Sequence, residues 1–202
     1  MKPPPQSGEV RIIGGQWRRR RLPFPAHAAL RPTPDRLRET LFNWLMPSIV
    51  GTRCLDLFAG SGALGLEALS RGAERSVLVE ADAQVAQALR DNAARLGART
   101  AEVVTASALD FLRGPAAAPF HIVFLDPPFD SSLMADCLPL LAARWLGPDA
   151  RVYIERPATQ AGIAPVGLPP AWQLWRETRV GQAHGAVYRV PAENLLNGED
   201  LS

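Results

Sequence analysis

Apolar residues along this chain follow two alternating spacings. Short apolar and β-branched runs, RCLDLF (53–58), SVLVE (76–80), TAEVVT (100–105), HIVFLD (121–126) and ARVYIE (150–155), have the length and composition of buried strands. Between them apolar positions recur at helical spacing, which predicts helices over Ala63 to Arg71, Ala83 to Leu96, Ser107 to Arg113 and Leu133 to Trp145. Strands that alternate with helices wind a mostly parallel sheet through right-handed connections, with helices on both faces, so the expected class is α/β. Ahead of this region Leu37, Leu41, Phe42 and Leu45 mark another helix, ended by Pro47 and expected to be capped by Thr33 or Asp35. Earlier still, VRII and QWRRRRL flank Gly14-Gly15 and predict a small hairpin with an arginine face. WQLWRETRV and AVYRV predict a closing antiparallel hairpin near the end. The expected divisions are a disordered leader over 1–9, a basic hairpin extension over 10–30, a main domain over 31–192 and a frayed tail over 193–202.

With 202 residues, 47% of them apolar, the chain is long enough for one domain with a sizeable core. Lys2 is the only lysine among 22 basic residues, which excludes phosphate-loop, Schiff-base and kinase lysines from the folded body. Cys54 and Cys137, with His27, His121 and His184, have neither disulfide nor metal-ligand spacing, so no metal is expected. No apolar run approaches the roughly 18 residues that span a bilayer, and the expected location is the cytoplasm. Charge is unevenly spread. Residues 1–53 hold ten basic and three acidic side chains, a balance of +7, against twelve and seventeen, or −5, in residues 54–202.

The first strand of the sheet runs into Asp56-Leu-Phe-Ala-Gly60-Ser-Gly62-Ala-Leu-Gly65, at the edge where open parallel sheets bind ligands. Glycines at 60 and 62 allow close backbone approach, and the following helix start offers N–H donors. Glu80 ends the second strand beside the same crevice, where a carboxylate can accept from ribose hydroxyls. GxGxxG spacing alone fits a dinucleotide. Asp56 would repel a pyrophosphate and suits a cationic or amino-bearing ligand such as S-adenosylmethionine, or it could simply cap a helix.

The fourth strand ends in Asp126-Pro127-Pro128-Phe129. Two prolines leave this stiff loop without two N–H donors, so its carbonyls and the Asp126 carboxylate are acceptors, suited to gripping both hydrogens of an amino group. Phe129 adds a face for stacking a base. An exocyclic base amine is a poor nucleophile while its lone pair is delocalised. Hydrogen bonds to Asp126 and the Pro127 carbonyl favour a pyramidal nitrogen aimed at a methyl carbon. The released proton could pass to Asp126 or to water.

Taken together, DLFAGSGALGLEALSRGA, Glu80, DPPF, RIIGGQWRRRRL and RPTPDRLRETLFNWL resemble the RsmD family, bacterial 16S ribosomal RNA guanine-N2 methyltransferases, from about Arg11 to Val190. The glycine loop is general to class I methyltransferases and DPPF to those acting on base amines. The two front segments are the family-specific part. The resemblance implies a Rossmann-like sheet of seven strands with an antiparallel last pair. It also implies S-adenosylmethionine as donor and guanine in 16S ribosomal RNA, free or in the assembling small subunit, as acceptor. Carried over by position, Asp56, Phe58, Gly60 and Gly62 line the methionine side, Glu80 holds the ribose, and Ser107 and Ala108 lie near the adenine. Thr33 and Arg36 fall in the element that closes over the cofactor, and Asp126, Pro127 and Phe129 are the catalytic set. The family often has a glycine after Trp17, where this chain continues with four arginines.

Arg18, Arg19, Arg20 and Arg21, beside Trp17 and with no acid nearby in sequence, form a dense basic segment suited to RNA phosphates, and Arg11 is expected to join them. Trp44 and Trp145 are expected in the core, and Trp172 and Trp175 in sheet packing. Three other functions fit parts of the pattern: a DNA adenine-N6 or cytosine-N4 methyltransferase, an NAD-dependent oxidoreductase, and a catalytically silent RNA-binding module. The first lacks length for a target-recognition domain, the second lacks a proton relay, and the third would not need Asp56, Glu80 and Asp126 together. Nothing in the pattern demands more than a monomer.

Overall fold

The computed structural model describes residues 7–25, 33–116, 118–128 and 132–192. An antiparallel hairpin of β1 (Ser7–Arg11) and β2 (Arg21–Pro25) precedes α1 (Asp35–Leu45). The sheet region then runs β3 (Arg53–Asp56), α2 (Gly65–Ser70), β4 (Arg75–Glu80), α3 (Ala83–Leu96), β5 (Ala101–Thr105), α4 (Ala108–Arg113), β6 (Phe120–Leu125), α5 (Leu133–Arg144), β7 (Leu146–Pro157), β8 (Gln173–Val180) and β9 (Ala183–Arg189). Seven strands lie in the order β5-β4-β3-β6-β7-β9-β8. β9 pairs antiparallel with both neighbours and all other pairings in the sheet are parallel.

The period-2 alternation of each strand divides the core between two faces. Cys54, Leu78, Ile122 and Phe124 point toward α1, α2, α3 and the hairpin, while Leu55, Val77, Val79, Val123 and Leu125 point toward α4 and α5. The order reverses at β3 and β6, so the loops after these two strands diverge and open a crevice at the carboxyl edge. α3 begins where the Asp82 carboxylate accepts from the N–H groups of Gln84 and Val85, and ends at Gly97 in the left-handed conformation.

Three sequence expectations change. Residues 7–9 belong to β1 rather than to a leader, because they pair with Pro23, Phe24 and Pro25. Gly14 and Gly15 do not form a two-residue turn; they lie in a longer connection where the chain presses on α2. Gly15 has φ 75° and a Cβ there would lie 1.8 Å from the Ser70 carbonyl oxygen. Neither Thr33 nor Asp35 caps α1: the cap position is Pro34, without a side-chain bond.

The hairpin is held to the body by polar groups buried under it. Glu67 of α2, fully buried, accepts from the N–H groups of Ile13 and Gly14, both at 2.7 Å, and from Arg71 Nε at 2.7 Å. Ser70 Oγ accepts from Trp17 N at 3.0 Å and donates to the Gly14 carbonyl at 2.6 Å. Arg38, also fully buried, lies 3.8 Å from Glu67 and donates to the Arg11 carbonyl and Asp35. Removing Glu67 leaves the Ile13, Gly14 and Arg71 donors without this acceptor, and takes from Arg38 Nη1, which has no hydrogen-bond partner, the charge it faces. Glu67→Ala is therefore expected to cost about 3 kcal/mol in urea unfolding, with cleavage of the hairpin in limited proteolysis before the body unfolds.

Candidate active site at the carboxyl edge

A cavity of about 740 Å³ opens at the carboxyl ends of the central strands, lined by the loops after β3, β4, β5 and β6, by Glu155 of β7, by Gln182 and Ala183 at the β8–β9 turn, and by Thr33 and Pro34. It brings together Asp56, Phe58, Gly60, Glu80, Ser107, Ala108, Asp126, Pro127 and Thr33 from the sequence expectation. Arg36 is exposed and does not line it, and Gly62 stands behind its wall. Phe129 lies outside the described residues. No lysine or arginine is among the lining residues, while four carboxylates are: Asp56, Glu80, Asp126 and Glu155.

The loop after β3 is folded by its own acids. Asp56 Oδ2 accepts from Gly65 N at 2.9 Å, so the first free N–H of α2 is taken and the helix-cap reading of Asp56 holds for that oxygen. Its other oxygen, Oδ1, is buried with no hydrogen-bond partner. A buried acceptor left open at a cavity wall suits a ligand donor, so both readings of Asp56 apply, one to each oxygen. Burial is the largest influence on this carboxyl, ahead of the Gly65 bond that lowers it and the nearby Glu80 charge that raises it, and pushes it up to about 7. Gly62 has φ 78°, and a Cβ there would lie 2.6 Å from Leu89 and 2.8 Å from Leu66, so the tight turn has no room for a side chain.

Glu80 is fixed at the end of β4. Its Oε2 accepts from Gly60 N at 2.9 Å and its Oε1 from Asp82 N at 2.8 Å. Each oxygen keeps a further lone pair, so the carboxylate is oriented toward the crevice and still able to accept hydroxyl hydrogens. Ser107 caps α4, accepting from Asp110 N and donating to its carboxylate, which places Ser107 and Ala108 at the far end of the cavity beside Glu80.

Asp126 follows β6, and its Oδ2 accepts from the Thr33 hydroxyl at 3.2 Å. Burial, then the Glu155 charge, shift Asp126 well above the usual carboxylate range. Glu155 on β7 was missed from sequence. The signal was present, since it ends a predicted strand as Glu80 and Asp126 do.

Of the basic segment, Arg18, Arg19 and Arg20 lie on the hairpin connection and do not line the cavity, whereas Arg11 of β1 and Arg21 of β2 line a second pocket that shares Thr33 and Pro34 with it. Arg18 and Arg19 are exposed and form no ion pair among the described residues. The expectation of no nearby acid fails at Arg21, because the fold brings Glu9 to within 3.0 Å of it, and Arg11 pairs with Asp35 at 2.9 Å. Arg20 donates to the Arg95 carbonyl. Trp17 is half-buried and packs against the core, which removes part of its face from stacking. Trp145 and Trp172 are buried, Trp44 packs from the core's margin, and Trp175 is flanked by the guanidinium groups of Arg151 and Arg176. Among the described residues no group of three or more His, Cys, Asp or Glu is placed to hold a metal ion, and no helix is long and apolar enough to cross a membrane.

Comparison with known proteins gives a consistent picture. The family described as "Conserved hypothetical protein 95" matches residues 10–189. Ribosomal RNA small subunit methyltransferase D of Escherichia coli (strain K12) is 49% identical over 188 residues, 93% of this chain and 93% of its own. The protein of the same name from Haemophilus influenzae is 45% identical, over 92% of this chain and 96% of its own. Among solved structures, yhhF from Escherichia coli superposes with a TM-score of 0.82 at 47% identity, covering 92% of this chain and 99% of that one.

The buried Asp56 carboxyl gives folding a pH dependence of known sign. Its value of about 7 lies above the ordinary 3.8, so the folded state holds the extra proton between those values and this contribution weakens as pH rises through about 7. Asp56→Asn is expected to flatten that part of the curve. Melting temperatures at pH 5 and pH 8 should fall further apart in the unsubstituted protein than in the variant.

Proposed function

Because the chain belongs to the RsmD family, whose curated relatives are named ribosomal RNA small subunit methyltransferase D, we propose that it transfers a methyl group from S-adenosylmethionine to the exocyclic N2 amine of a guanine in 16S ribosomal RNA. The observation that carries this reading is the charge of the cavity: four carboxylates and no cation line it. Such a wall rejects a pyrophosphate and attracts positively charged or donor-rich groups. That disfavours the dinucleotide reading of the glycine loop.

S-adenosylmethionine fits the residues present, and when bound it supplies an electrophilic methyl group. The open Oδ1 of Asp56 would take an N–H of its ammonium group, and Glu80 would accept from the ribose hydroxyls. Ser107 and Ala108 border the space for the adenine. At the reaction loop, the Asp126 carboxylate and the Pro127 carbonyl are left to accept both hydrogens of the target amine, since prolines at 127 and 128 present no competing N–H. Held in this way the nitrogen lone pair points along one direction, and catalysis is chiefly alignment. Phe129 is the proposed stacking face for the base, and the arginines of the hairpin connection are the proposed contacts to phosphate. The chain would act as a monomer in the cytoplasm, on ribosomal RNA or the assembling small subunit.

Incubation with labelled S-adenosylmethionine and undermethylated small subunits, naked 16S RNA or duplex DNA, followed by mass spectrometry of the nucleosides, tests the reading directly. N2-methylguanosine from the ribosomal samples is expected, and Asp126→Ala should abolish it while cofactor affinity stays nearly intact. Label recovered as methyladenine or methylcytosine in DNA would overturn the assignment of substrate, although the RNA-modifying relatives do not favour that alternative. Replacing Arg18 to Arg21 with alanine should weaken RNA binding and reduce the slope of log affinity against log salt by about 1 to 3. An unchanged slope would remove these arginines from the RNA interface.

A further inference from the structure

Strand order sets the order of the acids along the carboxyl edge. Glu80 ends β4, Asp56 ends β3, Asp126 follows β6 and Glu155 lies near the end of β7, and all four line the one cavity. The reading above takes the first three for the ribose, the ammonium group and the target amine. Glu155 is left over. It lies beyond Asp126, on the side away from β3 and β4, where the rest of a base held by its amine has to lie.

Glu155 is built into place. Only 3% of it is exposed, and Tyr153, two residues earlier on the same face of β7, donates its hydroxyl to Oε2 at 2.9 Å. The Tyr153 ring is seated against Gly185, the partner of Glu155 on β9, where a Cβ would lie 2.8 Å from the ring and from the hydroxyl oxygen. A phenol supplies one hydrogen, so it takes one of the carboxylate's roughly four lone-pair sites and leaves acceptor capacity for a ligand. Burial raises the Glu155 carboxyl above its usual range, while the Tyr153 bond and the Arg38 charge favour the ionised form.

Leu125 and Ile154 are paired across β6 and β7, so Asp126 and Glu155 come next on neighbouring strands, whose backbones run about 4.8 Å apart. Two adjacent acids, with no lysine or arginine among the cavity's lining residues, call for a ligand with adjacent donors. Among the bases with an exocyclic amine, guanine alone has a ring N–H beside that amine. In adenine and cytosine the ring nitrogen next to the amine is an acceptor.

We propose that Glu155 determines which base is taken: its carboxylate accepts the N1–H of the guanine whose N2 amine is held at Asp126. Offered adenine or cytosine, the same buried carboxylate faces an acceptor nitrogen and loses its partner. This rests on the reading of Asp126 as the amine's acceptor and extends it from the amine to the base. A base turned out of its stack is read along this edge, and Tyr153 holds the reading group still.

2-Aminopurine tests the assignment, because it keeps the amine and has an acceptor nitrogen in place of the N1–H. Small subunits are reconstituted with 16S RNA carrying either guanine or 2-aminopurine at the position methylated in the labelling experiment, and kcat/KM is measured for both. The unsubstituted protein is expected to favour guanine by about tenfold or more. Glu155→Gln keeps the size of the side chain and the bond from Tyr153 but turns an amide N–H toward the base. Its preference for guanine should therefore shrink by about tenfold, with cofactor KM little changed. General damage to the site would lower both rates alike and leave their ratio as it was. An unsubstituted protein that treats the two bases equally, or an unmoved ratio in Glu155→Gln, would overturn the proposal. Should Glu155→Gln fold poorly in a thermal melt, Tyr153→Phe decides: releasing the carboxylate should narrow the ratio, and an unmoved ratio removes Glu155 from base selection. The underlying reading fails separately, through an active Asp126→Ala or through the absence of N2-methylguanosine from the unsubstituted protein.

Discussion

Accumulated negative charge in a confined space is the constraint on which the site depends. A parallel sheet lines up the carboxyl ends of its strands, and this chain puts an acid at or next to four of them, with no lysine or arginine among the residues around the cavity. The acids would repel one another if each were free. Instead backbone N–H groups fix Glu80, one oxygen of Asp56 is tied to Gly65, and hydroxyl groups hold Asp126 and Glu155. What remains open, above all Asp56 Oδ1, is acceptor capacity without a partner. A site of this kind selects ligands by what they donate and excludes those that carry phosphate.

The glycine loop serves that constraint. Its tight turn at Gly62 brings the α2 N-terminus back onto Asp56, and it brings the Gly60 N–H onto Glu80. Two carboxylates twenty-four residues apart in the chain thus shape the same few peptide groups. Side chains at the glycines would act twice, by blocking the turn and by moving the donors that hold the acids.

Most of the sheet was legible in the sequence because its signals are local. Five strands and the helices between them stand close to where apolar periodicity puts them, α3 at the expected residues. Asp56, Glu80 and Asp126 could be placed because each follows or ends a strand of recognisable composition. What escaped depends on partners far off in sequence. Arg38 reads as one more charge on α1, yet it sits in step with Leu41, Phe42 and Leu45 and is buried with them beside Glu67. Glu67 itself lies between Leu66 and Ala68, and its partners Ile13 and Gly14 are more than fifty residues earlier. Thr33 looked like a helix cap because threonine before a helix usually is one; here the hydroxyl is used across the fold by Asp126, ninety-three residues away. Pairings like these follow from the assembled tertiary structure, and no periodicity announces them.

The attachment of the hairpin to α2 also has a consequence for how the chain is made. Residues 7–25 leave the ribosome ahead of the groups that hold them, Glu67, Ser70 and Asn92 through the Pro23 carbonyl, which are synthesised much later. At ordinary rates of translation the wait amounts to several seconds. During it the arginine segment has no acid of α2 to anchor its backbone, so a highly cationic strand emerges beside a surface made largely of RNA. The segment with the highest positive charge density is thus made well before the groups that hold it, and that interval is built into the order of the sequence.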